Sequence, residues 1–363
     1  MDSINIKCPI NNLSFGNVSY NILRELFKGG YKVNLFPVGQ KVDFSAFDKA
    51  SPEFSEFIKE SVENRNVRVK RNYPFLNIWH INQSEEKISD YNILYTFHET
   101  GEVTEAEKCL CELYDEVVFS STYAQETFTR YGLTNCHHAP LGVDGDLKEV
   151  SGKKYLENKI HFGLMGKWEQ RKNTAKIINL WAKKFGGNND YQLTCLVNNA
   201  FLSKDEAERN QSIATGGIKH TNINFLPFLP KNSQVNDYLN SIDIDLGGLS
   251  GAEGWNLPCF NSTSLGKWST VLNATSHKDW ANKENSILIE PSSKSSTIDN
   301  KFFFKHSEFN QGHMYNFTDE EFYQAIDTAL DKVNNKEVNT SGKKIKETFT
   351  YKNTLENILK RVI

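Results

Sequence analysis

The sequence predicts an α/β protein of two domains, each built on a mainly parallel sheet. Apolar segments of strand length alternate with segments whose apolar residues recur at helical spacing, the pattern of βαβ units. At 363 residues the chain exceeds what one hydrophobic core usually sustains. A polar stretch, Asp144 to Asn158, separates two such series. The expected organisation is a first domain at 1–150, a second at 151–345 and a closing helical segment at 346–363, with the linker near 145–158.

In the first series, Ser3–Pro9 and Lys32–Val38 read as strands flanking an amphipathic helix, Val18–Lys28, stopped by Gly29-Gly30. Asn77–Ile81 and Asn92–Phe97 read as further strands. A helix at Thr104–Leu113, a strand at Glu116–Ser120, a helix at Tyr123–Tyr131 and a short strand at Cys136–Ala139 follow. The second series opens with a strand at Lys159–Met165 and a helix at Asn173–Phe185. Gln192–Val197, Ile223–Leu226 and Ile242–Leu246 supply strands with helices between them, and Asn261–Trp268 reads as a helix. The tail from Phe349 is amphipathic and helical.

Composition narrows the function classes. Hydrophobic residues make up 38% and charged residues 24%, the balance of a globular protein. A net charge of −3 argues against sequence-independent binding of nucleic acid. The one basic cluster of that kind, Arg65–Arg71 (Arg65, Arg68, Lys70, Arg71), reads equally well as a solvated face. Met1–Cys8 lacks the charge and apolar run of a signal peptide. No run of about 18 apolar residues is long enough to span a membrane. Six cysteines, at 8, 109, 111, 136, 195 and 259, show no metal-type spacing. The expectation is a cytoplasmic protein with free thiols, a peripheral membrane contact being left open.

Two loops carry the chemistry. Gly251-Ala252-Glu253-Gly254-Trp255-Asn256-Leu257-Pro258 places a carboxylate and two glycines where a strand ends and a helix begins. In an open α/β sheet, ligands bind beyond the carboxyl ends of the strands. Gly166-Lys167-Trp168-Glu169-Gln170-Arg171-Lys172-Asn173 follows the first strand of the second domain and brings three cations to a helix N-terminus, a setting for a diphosphate. A solvated basic turn is the competing reading. Together the loops suit a ligand with both hydroxyls and phosphates, such as a nucleotide sugar.

Other candidates are weaker. His98, at the end of a strand, could face the cleft or be structural; Glu99 beside it could be a helix-end charge, and His80 is a lesser rival. The loop Asn11–Asn17 lacks G-x-G-x-x-G, though Gly16 permits close backbone approach to a ligand. Asp243 and Asp245 could hold a divalent cation but lie within a strand. His137-His138 has no third ligand. No Gly-x-Ser-x-Gly elbow occurs.

Four ordered blocks resemble the retaining nucleotide-sugar glycosyltransferases of family 4. They are Thr96-Phe97-His98, Pro140-Leu141-Gly142-Val143-Asp144, Lys167 with Lys172, and Glu253-Gly254-Trp255-Asn256-Leu257-Pro258; Phe349-Thr350-Tyr351 adds to them. Lys167 stands where that family usually has Arg, and Asn261 where it has a second glutamate that binds the ribose. The resemblance implies the GT-B fold, two Rossmann-like domains with parallel sheets facing across a cleft, the last helix packing back on the first domain. It implies transfer of a hexose or pentose from a nucleotide-sugar donor, with retention and without a metal or other cofactor. Glu253 would contact the sugar, Lys167, Arg171 and Lys172 the diphosphate, and His98 the sugar or acceptor. Gly16, Gly254, Trp255, Asn256, Leu257 and Asn261 would complete the donor site, with His98, Glu253 and Lys172 as the catalytic set. Compatible acceptors are a glycan, a lipid-linked sugar, a small molecule or a modified DNA base. A DNA-base glycosyltransferase is the alternative among enzymes. A silent sugar-nucleotide binding protein, motivated by Asn261, is the alternative among binding proteins.

Overall fold

A computed structural model describes residues 3–150, 152, 155, 156 and 158–362. The first half contains β1 (Ser3–Ile10), α1 (Ser14–Lys28), β2 (Lys32–Val42), α2 (Pro52–Asn64), β3 (Phe75–Ile78), β4 (Asn92–Thr96), α3 (Glu105–Glu112), β5 (Glu116–Phe119), α4 (Thr122–Arg130) and β6 (Cys136–His138). The second begins with β7 (Ile160–Met165), α5 (Thr174–Phe185), β8 (Tyr191–Leu196), α6 (Lys204–Ala214), β9 (Ile223–Phe225), α7 (Asn232–Ser241), β10 (Ile244–Gly248) and α8 (Leu257–Ser264). It continues through β11 (Trp268–Leu272), β12 (Ser286–Ile289), β13 (Ser293–Ser296), β14 (His313–Asn316), α9 (Asp319–Asn334), α10 (Thr340–Thr348) and α11 (Tyr351–Leu359).

Each half holds a six-stranded parallel sheet, ordered β2-β1-β3-β4-β5-β6 and β12-β11-β10-β7-β8-β9. The strands read as near-continuous apolar runs because helices cover both faces. Chain direction across the sheet reverses between β1 and β3 in the first half and between β7 and β10 in the second. Such reversals open a crevice at the carboxyl ends of those strands. The two loops singled out from the sequence follow β7 and β10, so they flank one reversal point.

The halves are joined by two adjacent crossings. Val143 N–H donates to Phe349 O at 3.0 Å, and Thr354 Oγ1 donates to Pro140 O at 2.7 Å. A Cβ on Gly142 would come within 2.2 Å of Tyr351 N, so only glycine fits between the strands of chain. Tyr351, Leu355 and Ile358 of α11 are buried in the same core as β1 and α1. The polar stretch 145–158 lies partly outside the described residues.

Several boundaries differ from the sequence reading. The helix expected at Asn261–Trp268 begins at Leu257 and ends at Ser264, and Trp268 opens β11. Asn256 in the left-handed region (φ 67°) and Pro258 in the first turn start it early. Helix α1 starts at Ser14 rather than Val18. Helix α2, capped by the Ser51 side chain on Phe54 N–H, was not anticipated, nor was the antiparallel β13–β14 hairpin.

Asp245 is buried in β10, and its Oδ1 accepts the Gly247 N–H at 2.6 Å; Asp243 Oδ2 accepts the His161 N–H at 2.9 Å. Both carboxylates therefore serve the sheet. Among the described residues no group of three or more His, Cys, Asp and Glu side chains is placed to hold a metal ion. Burial pushes the Asp245 carboxyl up to about 6, the Gly247 bond opposing it. A raised carboxyl contributes stability that is present below the unfolded value of about 4 and lost as pH rises through the folded one. Asp245→Asn should therefore gain about 2–3 kcal/mol relative to the wild type between pH 4 and pH 8. Urea unfolding at both pH values measures this, and an equal difference at the two would refute it.

Candidate functional site

The loop after β7 tightens into a single 3-10 turn, Gln170–Lys172, and Asn173 then adopts φ 54° to redirect the chain into α5. Its Nδ2 donates to Leu249 O at 2.9 Å. That bond is the first of several zipping this loop to the one after β10. Gly251 N–H donates to Arg171 O at 2.7 Å, Ser250 Oγ donates to the same oxygen at 3.2 Å, and Arg171 Nη1 donates to Ala252 O at 2.6 Å.

Glu253 is buried at the centre. Lys172 Nζ lies 2.5 Å from its Oε1 and Arg171 Nη1 lies 3.3 Å from its Oε2. Burial raises the carboxyl pKa, but the Lys172 and Arg171 charges outweigh it and hold the group at about 2. Arg171 is buried among carboxylates: Nε is 2.9 Å from Glu169, and Nη2 is 3.6 Å from Glu99 of the first half. Burial disfavours the guanidinium charge, yet Glu169, Glu253 and Glu99 together raise its pKa.

The end of β11 closes the site from behind. Thr275 takes φ 49°, a conformation costly for a β-branched residue. Its Oγ1 accepts the Glu253 N–H at 3.3 Å. His277 is fully buried: Nδ1 lies 2.9 Å from Leu272 O, and Asn256 Nδ2 donates to Nε2 at 2.9 Å. That pattern makes Nδ1 the protonated nitrogen of a neutral ring, and burial lowers the His277 pKa accordingly.

The first half meets the site through the ends of β4 and β5. Ser120 Oγ donates to Gly254 O at 2.8 Å, and a Cβ on Gly254 would sit 2.8 Å from Phe97 Cβ. Asp279 accepts the Thr122 N–H at 2.8 Å and the Thr122 hydroxyl, holding the start of α4. Burial lowers the His80 pKa, Glu99 opposing this and Lys167 adding to it, and Lys167 itself is exposed.

Helix starts reveal a second pattern. Among the described residues, α2, α3, α4, α6, α9, α10 and α11 carry a side-chain cap on an early amide. Helices α1, α5 and α8, the ones that follow a strand at a reversal point, have no such bond, and neither has α7. Their first-turn N–H groups are left for another partner.

The structure thus brings Lys172, Arg171 and Glu253 together, with Lys167 at the rim and Gly254 at the contact between halves. Other expected donor residues are turned elsewhere. Trp255 is buried against Phe260 and Phe349, with ring centroids 5.3 and 5.8 Å away, and Leu257 packs on the same core. Asn256 Nδ2 also bonds Gly247 O at 2.9 Å, tying the loop to β10. Asn261 Oδ1 lies 3.4 Å from the Asp144 N–H, at the crossing between halves. The missing Cβ of Gly16 accommodates the chain itself, because it would lie 2.1 Å from Asn11 O. His98 is buried, 3.1 Å from Thr100 Oγ1 and edge-on to Phe128. Glu169, Thr275 and His277 escaped the sequence reading. A carboxylate two residues before Arg171 was a usable signal; Thr275 and His277 follow a strand hidden inside the expected helix.

Two parallel sheets facing across a cleft, with reversal points turned toward it, define the GT-B class of glycosyltransferase folds. No family model matches the chain, and no curated protein matches it in sequence. Solved structures do. HepE from Anabaena, in complex with UDP and glucose, is similar over 100% of this chain and 99% of its own, with a TM-score of 0.67 at 12% identity. Sucrose-phosphate synthase from Thermosynechococcus elongatus aligns over 99% and 94%, with a TM-score of 0.63 at 12% identity. The lipopolysaccharide outer core galactosyltransferase WaaB aligns over the whole of both chains, with a TM-score of 0.57 at 12% identity.

Removing Arg171 would strand buried Glu169 and weaken the hold on Glu253. Arg171→Met should lower stability by about 3–5 kcal/mol and Lys172→Met by less than half of that, since Arg171 remains. Urea unfolding at pH 7 compares them; equal, small losses would show that the ion cluster does not fix these loops.

Proposed function

We propose that the protein is a glycosyltransferase that takes a sugar from a nucleoside diphosphate sugar. The observation that carries this reading is the pair of uncapped helix starts, α5 and α8, flanking Glu253 and Lys172 at the reversal point of the second sheet. Free amides and lysine ammonium groups suit a diphosphate, and a fixed carboxylate beside them suits sugar hydroxyls. Similarity in fold to HepE, which binds UDP-glucose, makes that compound the first donor to try.

In this reaction Lys167 and Lys172 neutralise the departing diphosphate, supplying the positive charge that a metal ion would otherwise bring. Arg171 acts differently from the sequence expectation: ringed by carboxylates, it holds Glu253 and leaves the phosphates to the lysines. A carboxylate held near pKa 2 is a poor general base at neutral pH. Glu253 therefore accepts hydrogen bonds from the transferred sugar. Retention by front-face attack, as the resemblance implies, asks no base of Glu253. Asn261, where a glutamate is usual in the family resembled, has its carbonyl oxygen on the Asp144 N–H at 3.4 Å and takes no part in this reading of the donor site. The Arg65–Arg71 cluster precedes β3, at the amino end of the strands and away from the cleft, and Arg71 is paired with Asp90 at 3.0 Å. That position speaks against a DNA acceptor.

Incubation with a panel of nucleotide sugars, beginning with UDP-glucose, should release free nucleoside diphosphate. Binding without release from any donor would instead support a silent sugar-nucleotide binding protein. Lys172→Ala should reduce kcat by about 10²–10³, the loss typical of removing one fixed charge that stabilises a developing anion. A variant within twofold of the wild type would remove Lys172 from the mechanism.

A further inference from the structure

Between β13 and β14 the chain makes a 16-residue excursion, 297–312, that touches both halves. On the second half, Lys301 Nζ pairs with Glu206 at 2.8 Å, the Phe302 ring lies 5.9 Å from Phe201, and buried Phe303 lies 6.0 Å from the Arg171 guanidinium. On the first half, Thr104 Oγ1 donates to Glu308 O at 2.5 Å, and Asn310 N–H donates to Glu107 Oε1 at 2.8 Å. Gly312 approaches the first half so closely that a Cβ would come 2.9 Å from Gly101 N. The excursion is therefore a strap from the donor side of the cleft to the start of α3.

Under the strap is a recess of about 20 Å³, walled by His80, Asn82, Phe97 and His98 from the first half and by Phe309 and Asn310 from the strap. That volume holds roughly one water and no sugar. The wall chemistry is specific. Two aromatic rings offer faces to C–H groups, and the imidazoles and amides offer neutral hydrogen bonding. The one carboxylate, Glu107, is buried and already accepts the Thr104 N–H at 2.9 Å with its other oxygen. None of the residues lining the recess carries a fixed positive charge.

We propose that residues 297–312 are an acceptor gate. Phe309 and Asn310 form the second-half wall of the acceptor subsite. The gate admits a neutral, hydroxyl-rich acceptor, a sugar, when the Asn310–Glu107 and Glu308–Thr104 bonds open. An acceptor bearing phosphate or carboxylate is disfavoured by Glu107, the one carboxylate of the recess wall. With the gate shut, water is kept from the donor beside Arg171. This inference rests on the transferase reading of the Glu253 site.

Phe309→Ala removes the aromatic wall, and Glu107→Gln weakens the Asn310 bond while keeping a residue that serves the α3 capping box. Both variants should raise hydrolysis of UDP-glucose without acceptor by about tenfold and raise KM for neutral mono- and disaccharide acceptors by at least about as much, because closure that excludes water is lost. The dissociation constant for UDP-glucose should stay within about twofold, as neither residue touches the donor loops. Unchanged hydrolysis and acceptor KM, or a donor constant that shifts by the same factor, would overturn the gate. Hydrogen exchange of the 297–312 peptide is independent of turnover. The Asn310 amide should exchange faster with at least one neutral sugar of the panel and unchanged with glucose 6-phosphate. If the wild type neither binds nor cleaves any nucleotide sugar, the transferase reading fails. The exchange result then judges the strap alone, and no response to neutral sugars, or an equal response to the phosphate, overturns it.

Discussion

Arg171 is the constraint on which the site depends. A guanidinium removed from water must be compensated by charge and hydrogen bonds or it is strongly destabilising. Here Glu169, Glu253, Glu99 and the Ala252 carbonyl surround it. The loop after β7 must therefore lie against the loop after β10, with Glu99 brought up from the first half. Arg171 is shared among three carboxylates, and Glu253 is the one that also holds Lys172. In the proposed reaction a diphosphate competes with Glu253 for the Lys172 ammonium. Lys172 then turns to the phosphates, and a Glu253 oxygen becomes free for a sugar hydroxyl. The loop's third cation, Lys167, stands unburied at the rim, where it can meet the same diphosphate.

Among the described residues, three of the nine non-glycine residues at positive φ sit in the same place. Asn173, Asn256 and Thr275 hold positive φ at the carboxyl ends of β7, β10 and β11. Asparagine tolerates this region, whereas a β-branched threonine does so at a cost on the order of 1–3 kcal/mol. Each is over-determined by its side chain: Asn173 on Leu249 O, Asn256 on Gly247 O and His277, Thr275 on the Glu253 amide. All four bonds involve the segment 247–256 that carries Glu253, which fixes its carboxylate before any ligand arrives. Such preorganisation is what electrostatic catalysis requires.

Fold class was legible in the sequence because buried parallel strands and amphipathic helices alternate cleanly, and because Lys172 and Glu253 sit in short loops after apolar runs. What escaped has physical reasons. Trp255 and Asn256 belong to the most telling segment yet point into the core, since a motif records where the chain turns and says little of which way each side chain faces. Gly16 and Gly254 look like room for a ligand but admit Asn11 and Phe97 instead. The strap has no helical or strand periodicity over 297–312, only scattered Phe, Lys and Asn, and its contacts to the two halves are with residues 95 or more positions away. Strand β11 was lost because its first residue, Trp268, also satisfied the helical spacing read across Asn261–Trp268.

Contacts across the cleft differ in kind from those at the crossing between halves. At the crossing, Tyr351, Leu355 and Ile358 share an apolar core with α1, and Gly142 admits the paired backbone. Around the cleft the joins are mainly polar, among them Glu99 to Arg171, Ser120 to Gly254, Thr122 to Asp279, Asn232 to Ala46 and Asn17, and the strap to Thr104 and Glu107. Water can replace a hydrogen bond at little net free energy, whereas it cannot replace buried apolar area. Parting the halves at the cleft therefore costs less than parting them at Val143–Phe349, where the shared apolar core would have to break. A donor side fixed by Arg171 and an acceptor side tied on only by polar joins is the asymmetry that the proposed transfer requires.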